Sequence, residues 1–135
     1  MWERKKFKVG DKASVRRIFT QEDVEHFSGL SMDRNPIHLN AEFAANSVFG
    51  QPIVHGMLVA SLFSGLIGME LPGEGSIYLG QNLNFTAPVP VGEEVTASVE
   101  IVKIREDKPI VTLRTLCLSP GGQIVIEGEA VVKVT

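Results

Sequence analysis

The sequence predicts an α+β fold in which a largely antiparallel sheet curls round one buried helix. Three observations carry that expectation. Residues 55–69, HGMLVASLFSGLIGM, are apolar almost all the way round a helix, and no Asp, Glu, Lys or Arg occurs before Glu70. A helix of that kind has to be covered by protein on most sides. Val95, Ala97, Val99 and Ile101 alternate with Thr96, Ser98 and Glu100, the period-two pattern of a half-buried strand. Two turn signals, Arg105–Pro109 and Pro120-Gly121-Gly122, divide the remainder into strand-length pieces.

The elements follow in order. Residues 12–19 (KASVRRIF) form a first strand. Thr20 then offers an N-cap, with Glu22 and Asp23 favoured in the first helical turn. Val24, Phe27 and Leu30 recur every three residues and give that helix an apolar face, and it should stop near Gly29–Ser31. Pro36 disfavours helical backbone at Asn35, so residues 32–39 read as loop. A short helix is expected over Ala41–Val48 with Asn40 as cap, broken at Phe49-Gly50-Gln51-Pro52. Along the central helix Gly56, Ala60, Ser61, Ser64, Gly65 and Gly68 are small enough to let another backbone approach. Strands are then expected over Ser76–Thr86, around 95–101, over Ile110–Ser119 and along Ile124–Val134. An open sheet leaves unpaired edges, and a homodimer joining two sheets would cover one of them.

Composition bounds the function. A chain of 135 residues fits one domain, 1–135, and at this size folding hides roughly two-thirds of the extended surface without a metal or disulfide staple. Apolar residues make up 44% and charged residues 21%, an ordinary globular balance. A net charge of −3 argues against nucleic acid as a partner, because phosphate neutralisation needs a basic field. The one cysteine, Cys117, lies in an alternating apolar run and reads as a buried structural thiol. MWERKKFKVG lacks the apolar run of a signal peptide, and Met57–Met69 is shorter than the ~20 residues of a spanning helix. The expectation is a soluble, cytoplasmic protein with no membrane partner.

The chemistry concentrates in MDRNPIHLN, residues 32–40. Asp33 precedes His38 by five positions, with an Asn-Pro step between them. In a turn the two side chains can converge on one point, and an acid and an imidazole that share one water are equipped for proton transfer near neutral pH. From the loop alone the polar turn is the preferred reading, since Asp33 and Asn35 are ordinary turn formers. No HxxxH or CxxC spacing supports a metal site. Downstream, Gly56 opens the central helix, whose first N–H groups have no partner inside it and can face developing negative charge. Close packing would equally explain Gly56, and helix capping is the preferred reading of His55.

The stretch FSGLSMDRNPIHLNAEFA, residues 27–44, resembles the signature of MaoC-type, (R)-specific enoyl-CoA hydratases, also called hydratase 2. IVHGMLVASLFSGLIG and GSIYLGQNLNFTAPVPVGEEV are similar to the short bacterial members that feed polyhydroxyalkanoate synthesis, so the likeness spans nearly the whole chain. The resemblance implies a hot-dog fold, a homodimer, and reversible hydration of trans-2-enoyl-CoA to (R)-3-hydroxyacyl-CoA without metal or redox cofactor, CoA being part of the substrate. It implies that Asp33 and His38 hold the catalytic water and that the Gly56 N–H meets the thioester oxygen. Asn35 would order the loop, and Ser64 and His55 would support the site. Met32 departs from the pattern, which commonly has glycine there.

Ile67 shares a face of the central helix with Ser64 and is the candidate limit on acyl length, against plain core packing. Lys103, Arg105, Lys108 and Arg114 are the cations available for CoA phosphates, or equally a solvated face. Three other readings stay open: a dehydratase acting on acyl carrier protein, a non-catalytic acyl-binding module, and a thioesterase. The last usually places a carboxylate on or near the central helix, which here offers only Glu70 at its far end.

Overall fold

The computed structural model describes residues 2–3 and 6–135. Strand β1 (Lys12–Ile18) is followed by helix α1 (Gln21–Ser31), two short helices α2 (Pro36–Leu39) and α3 (Ala41–Ala45), and the central helix α4 (Gly56–Met69). Strands β2 (Ile77–Gln81), β3 (Asn84–Phe85), β4 (Glu94–Ile104), β5 (Ile110–Leu118) and β6 (Ile124–Lys133) complete the chain. They form one antiparallel sheet in the order β1-β4-β5-β6-β2, with β3 also paired to β6.

The alternating residues expected to be buried in the strands do form the core of β4 and β5. Val95, Ala97, Val99 and Ile101 of β4 and Val111, Leu113 and Cys117 of β5 are wholly buried on the concave face of the sheet. Val59, Ala60, Phe63, Leu66 and Ile67 of α4 pack into that face. Each large apolar side chain so removed from water contributes about 1.5–3 kcal/mol. A helix held in a curved antiparallel sheet is the hot-dog arrangement.

Several local expectations need correction. Leu30 does not join the apolar face of α1: it is 85% exposed, and the buried positions are Val24 and Ser28. Residues 32–39 are not all loop. Pro36 takes the first position of α2, where its missing N–H costs nothing, and Asn35 caps that helix by accepting from the Ile37 N–H at 3.2 Å. Helix α3 stops at Ala45, short of Val48. The expected strand over Ser76–Thr86 is two, β2 and β3. Its register shifts between Tyr78 and Gly80. Asn82 then crosses so close to Gly128 that a side-chain carbon there would sit 2.0 Å from the Asn82 carbonyl oxygen.

Nor is α4 covered on most sides by this chain. Met57 and Met69 are 59% and 73% exposed, and Ser61, Ser64 and Gly65 continue the same uncovered stripe. The edge strand β2 also exposes Ile77, Tyr78 and Leu79. Among the described residues no helix is long and apolar enough to cross a membrane.

Candidate active site

Local sequence rules bring the site together. Thr20 and Asp23 close a reciprocal capping box at the start of α1, which sets the helix that leads into the loop. The helix ends on Met32 at φ 65°, the left-handed conformation a glycine would adopt without strain. That turn delivers Asp33, whose Oδ1 accepts from the Asn35 N–H at 3.2 Å and whose own N–H donates to Ser31 Oγ at 3.1 Å. Asn35 thus orders the loop twice, through its backbone to Asp33 and through its side chain to α2.

On α2, His38 is buried, and its Nδ1 lies 2.7 Å from the Ile53 carbonyl oxygen. A carbonyl only accepts, so Nδ1 carries the hydrogen and Nε2 presents a lone pair. That lone pair faces Asp33 Oδ2 at 3.9 Å. The gap is too long for a direct hydrogen bond. A water at roughly 2.8 Å from each acceptor fits across it and gives one hydrogen to each side. The Asp33 side chain is half exposed while the His38 ring is nearly enclosed, so the pair stands at a wall between solvent and interior.

Both residues line a cavity of about 490 Å³. Gly56 lines it too, at the first position of α4, and its N–H has no acceptor among the described residues. The Phe85 ring lies against Gly56: a Cβ there would come 2.7 Å from two ring carbons. The remaining walls are mostly apolar, including Val59, Val89 and Ile126, with Thr86 and His55 the polar exceptions. Acceptors for a water, a backbone donor for an oxyanion and an apolar pocket therefore share one space.

His55 stands at the N-cap position of α4 as expected, its carbonyl accepting from the Leu58 and Val59 N–H groups, but its side chain makes no capping bond. Its ring is 2% exposed and stacks on His38 with centroids 3.8 Å apart. Phe27 packs edge-on from α1 at 4.8 Å. Nε2 lies 3.0 Å from both the Asp33 carbonyl oxygen and Ser28 Oγ. Burial holds the His55 imidazole below its ordinary pKa, outweighing the hydrogen bond to Asp33. Ser28 and Phe27 were not anticipated as site residues. Their signal was available: Ser28 follows Val24 by four on the buried face of α1, and a polar group placed there requires a partner.

Ser64 and Ile67 are not brought to this cavity. Ser64 lies on the exposed stripe of α4, eight residues or roughly 12 Å past Gly56, and Ile67 is a core residue. Lys103, Lys108 and Arg114 are exposed and do not line the cavity, and Arg105 is engaged bidentately by Asp107. Glu70 caps the far end of α4, away from the pocket. Ligand atoms of Asp33, His38 and His55 fall within 4.8 Å of one another. With the His55 Nε2–H given to the Asp33 carbonyl, that nitrogen has no lone pair left for an ion.

The family model of the MaoC like domain matches residues 6–117. The (R)-specific enoyl-CoA hydratase of Aeromonas caviae is 58% identical over 125 residues, 93% of each chain. The solved structure of an (R)-hydratase from A. caviae involved in PHA biosynthesis superposes with a TM-score of 0.94 at 56% identity, covering 96% of this chain and 98% of that one. An R-hydratase of Pseudomonas aeruginosa gives 0.92 at 37% identity, with 97% and 84% covered. A mitochondrial 3-hydroxyacyl-[acyl-carrier-protein] dehydratase of Solanum lycopersicum is 43% identical, with 91% of this chain and 74% of that one aligned. With the expected helix-in-sheet fold and the Asp33–His38–Gly56 grouping in place, the chain belongs to the MaoC-like domain family.

Proposed function

We infer that this chain is an (R)-specific enoyl-CoA hydratase, a hydro-lyase that adds water reversibly across the double bond of trans-2-enoyl-CoA. The observation that carries the reading is the 3.9 Å gap between His38 Nε2 and Asp33 Oδ2, opening on the cavity that contains Gly56. The names of the A. caviae relatives support the reaction, its stereochemistry and a place beside polyhydroxyalkanoate synthesis.

The mechanism follows from the lone pairs. Asp33 and His38 each accept one hydrogen of the water, which directs an oxygen lone pair at C3 of the conjugated thioester. As the C3–O bond forms, one of the pair takes a proton and the double-bond electrons move onto the thioester oxygen. The Gly56 N–H meets that charge, with the α4 dipole behind it. The same proton, or one exchanged within the pair, returns to C2 from the side of the new hydroxyl. The sum adds one water, and no metal or redox cofactor takes part in this scheme.

Asp33→Asn and His38→Gln should each lower the hydration rate by about 10²–10⁴ with little loss of stability. Near-normal turnover in either folded variant would overturn these roles.

The exposed α4 stripe and β2 edge support a homodimer in which two sheets join and the stripes face each other, testable as twice the chain mass in sedimentation. Only in that assembly would Ser64 reach a site. A second reading concerns the carrier. The tomato relative acts by its name on acyl carrier protein, and competition between crotonyl-CoA and the carrier-bound thioester distinguishes the two. The thioesterase reading lacks a carboxylate on the central helix beside the thioester, since Glu70 lies roughly 20 Å along α4 from Gly56.

A further inference from the structure

We propose that His55 is a positioning residue that sets the Asp33–His38 gap before substrate arrives. The proposal rests on the reading that this pair holds the reacting water. Three attachments converge on one buried ring. The Asp33 carbonyl only accepts, so the His55 Nε2 that lies 3.0 Å away carries the hydrogen and ties the loop by its backbone. Ser28 Oγ shares that hydrogen from α1 at 3.0 Å. The His38 ring lies flat on the same imidazole at 3.8 Å, with 26° between the planes. The next residue in the chain is Gly56 itself. His55 therefore touches both proposed water ligands and is bonded to the proposed oxyanion donor.

Its tautomer makes the point sharper. With Nε2 protonated, Nδ1 is a lone pair, buried and without a hydrogen-bond partner among the described residues. A native interior rarely leaves such a group unpaired, and where it does the arrangement calls for a reason other than stability. Phe27 packs against the ring at 67° with centroids 4.8 Å apart. Burial is the main cause that holds the His55 proton affinity down; of its titratable neighbours, Asp33 opposes that shift through its carbonyl and its charge, and His38 adds to it. The imidazole serves as a neutral, fixed bracket between the loop and the helix start.

Two variants separate ring from donor. His55→Phe keeps a stackable ring and loses the N–H. His55→Gln keeps an N–H within reach of the Asp33 carbonyl and loses the ring. For His55→Phe the expected result is a fall in kcat of about 10–100-fold, as for a misplacement near 1 Å, with KM for crotonyl-CoA within about threefold of normal. His55→Gln should recover part of that loss. In the Asp33→Asn background either substitution should cost far less than alone, because a residue acting through Asp33 has nothing left to position.

Turnover within twofold of normal in a folded variant would overturn the proposal. So would a loss of the same factor with and without Asp33. If His55→Phe does not fold, His55→Gln alone decides by the same double-variant comparison. An inactive Asp33→Asn beside an unaffected His55→Phe sinks only this proposal; an active Asp33→Asn sinks the reading beneath it.

Discussion

Gly56→Ala separates the catalytic role of the helix start from its structural one. Gly56 is absent from the positive-φ positions, so alanine suits its backbone. The new methyl would stand 2.7 Å from Phe85 Cδ1 and Cε1. Ordinary carbon contact begins near 3.5 Å, so the ring must retreat by about 1 Å. Phe85 is half exposed and has solvent to move into. Turning it off its preferred rotamer costs about 0.5–1.5 kcal/mol. Alanine in place of glycine in a helix returns about 0.5–1 kcal/mol. The two nearly cancel, and thermal unfolding should move by no more than a few degrees.

Activity should not be spared. The methyl and the displaced ring both lie in the cavity beside the proposed oxyanion donor, and a displacement near 1 Å in such a site costs about 10²-fold. The assay is kcat/KM on crotonyl-CoA beside a melting curve, with Gly56→Ala/Phe85→Ala as the relief variant expected to regain part of the rate. Normal kcat/KM in a folded Gly56→Ala protein would refute the placement of the thioester at the start of α4. Loss of activity in step with loss of folded protein would refute the balance of stability terms.

Two further predictions concern stability. Met32 holds φ 65° with an 81% exposed side chain, so Met32→Gly removes about 1–2 kcal/mol of strain, loses few contacts, and adds some unfolded-state entropy. A gain of up to about 1 kcal/mol in urea unfolding is expected, and a clear loss would mean the side chain matters. The second follows from the lowered pKa of His55. The unfolded chain binds a proton there as pH falls through the ordinary value of 6.5, while the folded chain resists it. The His55 contribution is therefore flat above about pH 7 and becomes destabilising below 6.5, until the folded pKa is passed. His55→Gln should flatten that acid limb of the melting temperature, and an unchanged limb would assign it elsewhere.

What could be read from the chain was whatever repeats with a local period. The alternation in β4 and β5 and the apolar run of α4 announced themselves, because each residue's burial is set by the pleat or helix it belongs to. Pro36 misled because the same residue breaks a helix inside and begins one at its first position. The split between β2 and β3 depends on Asn82 meeting Gly128, forty-six residues away, which no local pattern records. The exposed stripe of α4 looked like core because apolar composition does not record which face of a helix the rest of the chain covers.

The site was legible in part. Asp33, His38 and Gly56 stood out by type and by resemblance, and the structure brings them to one cavity. His55 was legible as the cap residue of α4, but its side chain's role was not, because its partners Ser28 and Phe27 arrive from another helix. The strand-borne cations carry no sign of which face they occupy relative to the pocket.

The central claim is that the water held between Asp33 and His38 adds to an enoyl thioester. Loss of the crotonyl-CoA enoyl absorbance, coupled to a dehydrogenase specific for the (R)-3-hydroxyacyl product, tests it most directly. The account predicts rapid loss with full coupling in the native protein, and neither in Asp33→Asn. No loss of absorbance, coupling only to an (S)-specific dehydrogenase, or release of free CoA thiol in place of hydration would contradict it.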